Sequence, residues 1–554
     1  MAQDKLVKIY CVNTRQYVDV PIGSTLTDIF NIIHPTDITL PTNGKVNNVV
    51  VDMEYAIYNN QDIEFQDITS DSGLWTYARS LFFVLSKALK DILPNCPIRS
   101  ECVIGFGIFC RTNSDITDDL FKKIDARMKE IIGSDLPFVK VTTHTQDAIE
   151  LFKQHNHMSR VNLLKDRKKI YTSYYMLDGE PDYYYGPLLR STGQLRNYAF
   201  ERYHDGLLLR IPNPRKPDEL VPFVKQDKML EVINEQKQWQ EIIGISTVGE
   251  LNVHSQLKRN IADVINLSEA LQEKKIAKIA ETIKNQKDIR LILIAGPSSS
   301  GKTTFSKRLR VQLITEGIIP YSISMDDYFL DRAHTPLDEK GDYDFESIYA
   351  LDIQRLQDDI NALLAGKEVE LPKFDFTTGS RVQSEKRLKL GDNSILIMEG
   401  IHGLNPELTR AIPKKNKYKI FVSALTTILL DYHNFIPSTD NRLLRRIVRD
   451  YKYRNCSAEE TIRRWPSVLR GEIKWIIPYQ EEADVMFNSA LLFELAGLRT
   501  QALPLLEAVP ENVPEYSEAY RLRKFLNYIL PIKIDGLPPT SLLREFMGGS
   551  TFTY

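Results

Sequence analysis

No stretch constrains the fold of this chain more than residues 290–304, RLILIAGPSSSGKTT. Leu291–Ala295 is an uninterrupted apolar run, the pattern of a strand buried on both faces of a parallel sheet. An amphipathic helix is predicted over Thr303–Leu313, and between the two lies the spacing G-x-x-x-x-G-K-T. Glycines in such a loop let backbone N–H groups wrap the β- and γ-phosphates of a nucleotide, and the helix N-terminus adds favourable potential. Lys302 is expected to reach the β/γ-phosphates and the Thr303 hydroxyl to bind Mg²⁺. Gly296, Ser298, Ser299, Ser300, Gly301 and Thr304 complete the expected ATP contact. A glycine-rich turn that binds nothing is the alternative reading, and the flanking strand and helix argue against it.

Strands and helices alternate from residue 289 to about 500, which predicts an α/β domain with a parallel sheet and flanking helices. YSISMDDYF (321–329) brings Asp326 and Asp327 to the C-terminal end of a strand, where such sheets present their sites. A carboxylate there can take a proton from an attacking hydroxyl or help to hold Mg²⁺. ILIMEG (395–400) is a second buried strand, ending in Glu399, a further Mg²⁺-ordering position. The segment DNRLLRRIVRDYKYRN (440–455) carries Arg442, Arg445, Arg446, Arg449 and Arg454. Cations so close together repel one another unless an anion neutralises them, and arginine suits a transferring phosphoryl group. Spacings of three and four predict a shared face that closes over phosphate; pairing with Asp440 and Asp450 on a solvated face is the competing reading. No N-K-x-D stretch follows the loop, which disfavours a GTPase.

A chain of 554 residues is too long for one core, and three to five domains are expected. Residues 1–66 read as a small β-grasp unit: a hairpin of 6–11 and 16–21 split at Asn13-Thr14-Arg15, a helix capped by Ser24 or Thr25, then strands at 48–52 and 62–65. Residues 67–215 read as an α+β domain, opening with a helix at about 73–92 and closing at Pro212, Pro214 and Pro217. Residues 216–288 read as a helical connector, 289–500 as the α/β domain, and 501–554 as a C-terminal helical segment and tail.

The formal net charge of −2, with 26% charged and 43% hydrophobic residues, offers no global signature of a nucleic-acid or membrane partner. Five cysteines without C-x-x-C spacing point to a reduced compartment and away from a zinc ribbon. The N-terminus shows no signal-peptide pattern, and no run reaches the roughly 18–20 apolar residues of a membrane span. A soluble, cytoplasmic protein is expected. His144, His155 and His157 lack acidic or cysteine partners at ligand spacing and are expected at the surface or at helix caps. The tyrosines at 183–185 fit either a half-buried strand or a base-stacking platform.

Residues 289 to about 490 resemble the uridine kinase/phosphoribulokinase family of P-loop kinases. GPSSSGKTT, SISMDDYF, YDFESIYALD, LPKFDFTTGSR, ILIMEGI, DNRLLRRIVRDYKYRN and EEADVMFN stand in the family's order. The resemblance implies ATP and Mg²⁺ as cofactors and Asp326 as catalytic aspartate. It implies Thr303, Glu399 and Asp326 near the metal, and Lys302, Arg446, Arg449 and Arg454 around the phosphates. It places Glu346, with Asp344 as the nearby alternative, at the ribose position, and Phe374, Arg381, Arg446 and Arg464 around the acceptor. The pyrimidine readers depart: the segment is Phe374-Asp375-Phe376, the histidine position falls at Gly379, and positions usually Arg and Gln fall at Cys456 and Arg464.

The first 215 or so residues resemble the TGS and editing-associated domains of threonyl-tRNA synthetase. The H-x-x-x-H and C-x-G-P-H motifs fall at Tyr77–Leu81 and Tyr184–Leu188, so neither zinc nor editing hydrolysis is expected. The whole resembles bacterial uridine kinase-like nucleoside kinases, which implies transfer of the ATP γ-phosphoryl to the 5′-hydroxyl of a nucleoside. The alternatives are a kinase for another sugar or sugar phosphate, and an RNA- or nucleotide-sensing regulatory ATPase. A homo-oligomer is expected.

Overall fold

A computed structural model describes residues 5–339, 341–375 and 378–554, with residues 258–260 described by their backbone alone. Phe376, singled out in the base-reading segment, lies outside the described residues.

The sheet that carries the phosphate loop is built of β1 (Leu291–Ala295), β2 (Ile319–Ser324), β3 (Ser394–Glu399), β4 (Lys417–Ser423) and β5 (Val485–Asn488). Their order is β2-β3-β1-β4-β5, and every pairing is parallel. The chain leaves β1 towards β2 and later returns across it to β4, so β1 marks the point where the winding reverses. Register decides what meets there. Ile294 and Ser324 both pair with Glu399, so the loops after β1, β2 and β3 open at one edge.

Burial on both faces explains the unbroken apolar run of β1. Leu291 and Leu293 face the helix Ile353–Leu364, with Leu356 and Ile360 in the same core. Ile292 and Ile294 face α2 (Lys302–Thr315), which contributes Phe305, Leu309 and Leu313. The same core takes in Ile276, Ile279, Ala280 and Ile283 of α1 (Lys258–Asn285). The end of the expected connector is thus a layer of the α/β core. Buried Arg308 of α2 reinforces it with a 2.6 Å bond to Glu273.

In residues 6–66 the expected hairpin pairs Leu6–Cys11 with Gln16–Pro21. Thr25 caps the helix Leu26–Ile33, closing a reciprocal pair with Asp28. The mixed sheet also contains Asn43–Val46, a strand that the sequence pattern does not announce because its four residues include Asn, Gly and Lys.

In residues 67–215, Tyr77, Leu81, Tyr184 and Leu188 all sit in one hydrophobic core. Tyr183 packs against Tyr528 instead, so both tyrosines are buried and neither offers a stacking face to solvent. His144 and His157 stand at helix N-termini and His155 at a C-terminus, and His157 also pairs with Glu180 at 2.8 Å.

This region grips the α/β domain through the hairpin 429–435, which lies just before α3 (Ser438–Arg454). Ser100 N donates to the Tyr432 carbonyl at 2.8 Å, and the Arg99 guanidinium lies 4.2 Å over the Tyr432 ring. His433 Nδ1 bonds to buried Asp182 at 2.6 Å. Burial holds His433 neutral, and Arg160 beside Asp182 keeps that carboxyl far below the usual range despite its desolvation.

Ile279→Ala tests whether α1 belongs to the α/β core. The loss expected for a buried isoleucine is about 2–5 kcal/mol. It is read as a lower urea midpoint for the transition that a bound nucleotide shifts; an unchanged midpoint would assign α1 to a separate unit.

Candidate active site

The loop after β1 needs glycine at 296 on steric grounds. A Cβ there would lie 1.9 Å from the Val422 carbonyl oxygen. Gly301, with φ of +82°, starts α2, and Ser299 occupies the left-handed region at φ +59°, a strain typical of ligand clamps. Lys302 Nζ lies over the loop, donating to the carbonyls of Gly296 at 2.8 Å and Pro297 at 3.2 Å. The Thr303 hydroxyl donates to Glu399 Oε1 at 3.1 Å, joining the start of α2 to the end of β3.

Asp326 and Asp327 fall in a 3₁₀ turn directly after β2. Asp327 Oδ1 accepts from Phe374 N at 3.4 Å, which fixes the segment carrying Phe374 to this turn. Asp326 faces the loop, and its surroundings set its titration. Although its side chain is exposed to solvent, partial desolvation in the surrounding enclosure raises its carboxyl, opposed by Lys302, Arg454 and Arg449. The same enclosure pushes Glu399 up to about 7 against the pull of Lys302, and Glu346 up to about 7 against Arg446 and Lys302. Lys302 is lowered by desolvation despite the carboxylates that face it. Asp326, Glu346, Glu399, Lys302, Arg446, Arg449 and Arg454 therefore form one electrostatic cluster.

Of the two candidates for the ribose position, Glu346 enters this cluster. Its Oε2 is buried with no hydrogen-bond partner among the described residues, and Gly471 is the neighbour that allows it in: a Cβ at 471 would lie 2.2 Å from the Glu346 Cβ. Asp344 instead holds the preceding turn, its N–H donating to the Pro336 carbonyl at 2.8 Å.

The five arginines divide. Arg442 is buried and bonds to Glu472 at 2.6 Å. Arg445 is buried against Glu494, with further bonds to Ser489 O at 3.0 Å and Ser299 O at 3.3 Å. Arg446, Arg449 and Arg454 gather around buried Asp450, and Arg446 also reaches Ser298 Oγ at 3.0 Å. The expected single phosphate-facing stripe is thus corrected. Two arginines are neutralised by glutamates in the core, and the other three share Asp450, with Arg446 among them also meeting the loop.

Two expected acceptor contacts take other roles. Arg381 is engaged by the Phe329 carbonyl at 3.1 Å and by Asp352 at 2.9 Å, and so braces the Asp326 turn. Arg464 is exposed on α4 (Ala458–Trp475), beside Trp465, whose indole packs under Arg442. Gly379, where the resemblance expects a histidine, has φ of +67°, and a Cβ there would lie 2.8 Å from Arg332 Nε. Arg332 fills that space.

Sequence reasoning missed His402 and Glu545. His402 is 2% exposed beside the Glu346–Ser347 backbone, where burial lowers it to about 4 and keeps it neutral. Its signal was present: it lies three residues beyond Glu399, in a loop at the strand ends. Glu545, some 240 residues from the loop, bonds to Thr304 and had no local signal.

Among the described residues no three or more His, Cys, Asp or Glu side chains cluster as a ready metal cage. Thr303, Glu399 and nearby Asp326 nonetheless offer the hard oxygen donors suited to Mg²⁺, which takes few protein ligands and completes its shell with water and phosphate.

Residues 291–492 match the Phosphoribulokinase / Uridine kinase family. A uridine kinase of Chloroflexus aurantiacus is 28% identical over 225 residues, which is 40% of this chain and 97% of that protein. A uridine kinase of Staphylococcus aureus is 29% identical over 197 residues, 35% of this chain and 86% of that protein. Among solved structures, a D-glycerate 3-kinase of Cryptococcus neoformans aligns at 11% identity and a TM-score of 0.27, covering 37% of this chain and 89% of the other. Residues 291–492 are thus similar to the P-loop kinase domain of the Phosphoribulokinase / Uridine kinase family. No helix among the described residues is long and apolar enough to cross a membrane.

Glu346 offers a test of the cleft's electrostatics. Its raised pKa means that the folded state keeps a proton that the unfolded state releases between about pH 4.5 and 7. Wild-type stability therefore falls as pH rises through that window. Glu346→Gln, neutral throughout, should match wild type near pH 4.5 and exceed it at pH 8 by about 1 kcal/mol or more, measured by urea denaturation without nucleotide. A pH-independent gap would contradict this.

Proposed function

We propose that this chain transfers the γ-phosphoryl group of ATP to the 5′-hydroxyl of a nucleoside. The observation that carries the reading is the opposition, across one cleft, of the Lys302 loop and Asp326, with the unpartnered Glu346 carboxylate oxygen on the acceptor side. The uridine kinases that match this domain support it.

In this reading the loop N–H groups and Lys302 hold the ATP phosphates. Asp326 accepts the proton of the attacking hydroxyl, and its raised affinity for protons suits it to that task. Glu346 accepts hydrogen bonds from sugar hydroxyls. Arg446, Arg449 and Arg454 offset the charge that develops on the phosphoryl group. Thr303, Glu399 and Asp326 would hold Mg²⁺, which supplies charge neutralisation at the phosphates when bound.

Other sugars remain the second reading, because Gly379 and Arg332 replace the pyrimidine-reading histidine. A phosphorylated sugar fits less well, since Glu346 would repel it. No observation favours RNA sensing.

Purified protein with Mg-ATP and a nucleoside panel should yield a 5′-monophosphate. ADP release driven only by another sugar would move the acceptor assignment. Asp326→Asn should lower turnover by ~10²–10⁴-fold while ATP still binds; near-normal turnover would remove Asp326 as the base.

A further inference from the structure

The segment 541–554 packs onto the phosphate loop. Leu542 is buried 3.1 Å from where a Gly301 Cβ would stand, and Phe546 is buried under the Arg445 guanidinium at 4.9 Å. Between them Glu545 turns its carboxylate onto α2. Oε2 accepts from Thr304 N at 3.2 Å and from Thr304 Oγ1 at 2.6 Å. The Tyr554 hydroxyl lies 2.8 Å from the same Oγ1, and Lys452 Nζ of α3 donates to the Met547 carbonyl at 2.6 Å.

Thr304 is the third residue of α2, so its N–H has no intrahelical partner and is one of the donors that a loop of this kind turns towards phosphate. Here that donor is taken, and Thr304 is fully buried. Glu545 lies close enough to both Lys302 and Glu399 to bear on their protonation. We propose that segment 541–554 is a built-in competitor for the nucleotide, with Glu545 standing in for a phosphate on Thr304. One N–H cannot serve the carboxylate and a nucleotide phosphate together. Two like charges a few ångströms apart in a cleft of low dielectric also repel strongly. Nucleotide binding therefore requires the Glu545 side chain to leave. The segment also touches α3 through Lys452 and Arg445, so its position is coupled to the helix that carries Arg446, Arg449 and Arg454.

This inference rests on the loop being a nucleotide site, and it is independent of the acceptor. The test is calorimetric binding of Mg-ADP to the full chain as wild type, Glu545→Gln and Glu545→Ala, with no acceptor present. Both variants should bind Mg-ADP more tightly than wild type, by about tenfold or more. Exposed Glu219→Gln, whose partner is Lys216 on the surface, should match wild type. Thermal unfolding without nucleotide confirms that the variants fold. Equal affinity in wild type and both Glu545 variants would overturn the competitor, as would weaker binding by the variants, which would make Glu545 a nucleotide ligand. Failure of every folded form to bind Mg-ADP would overturn the loop's assignment and this inference with it.

Discussion

The arrangement of the site depends on one buried ion pair. Arg445 and Glu494 are 0% and 1% exposed at their side chains, and they join α3 to α5 (Glu494–Glu507) behind the phosphate loop. Arg445 also bonds to the carbonyls of Ser299 and Ser489, and the Ser489 hydroxyl bonds to the Ser300 carbonyl. The loop backbone, the end of β5 and the arginine-bearing helix are thereby held in a single network. Such a pair gains little over an apolar replacement, but loss of one partner strands a charge in the core at a cost of about 3–5 kcal/mol. Its value is positional. With Arg445 held, Arg446 on the next position of α3 meets Ser298, and Arg449 and Arg454 follow along the cleft.

From that network outward, the front of the chain bears on the site without entering it. The hairpin 429–435 feeds directly into α3 and is held by Arg99, Ser100, Asp182 and Tyr183. From the other side, Asp440 at the start of α3 accepts two 2.7 Å bonds from Arg521 of α6 (Tyr516–Leu526). The N-terminal half and the C-terminal helices thus clamp the start of α3, while its later turns face the phosphate loop.

Much of the α/β domain was legible because its signals are local. The apolar runs of β1 and β3 reflect burial on two faces, and the glycines at 296 and 301 answer to steric limits that any chain would meet there. Asp326 and Glu399 were readable as strand-end acids. The arginines were not separable by spacing alone: Arg445 and Arg446 are adjacent, yet one is sealed against Glu494 and the other reaches Ser298. Arg381 sits among residues that meet the cleft, but its guanidinium is already engaged by Asp352 and the Phe329 carbonyl.

The amino-acid sequence by itself determined that this chain contains a strand–loop–helix phosphate cradle, followed by two strand-end carboxylates and an arginine-rich helix. Each of those follows from a few neighbouring residues and the steric or electrostatic demands on them. Only the tertiary structure decided which arginines pair with glutamates in the core and which gather at Asp450, and that Glu346 rather than Asp344 joins the cleft. It also decided that α1 completes the core and that Glu545 rests on Thr304. These are contacts between residues far apart in the chain, or choices between neighbours made by what packs against them. No local pattern encodes them.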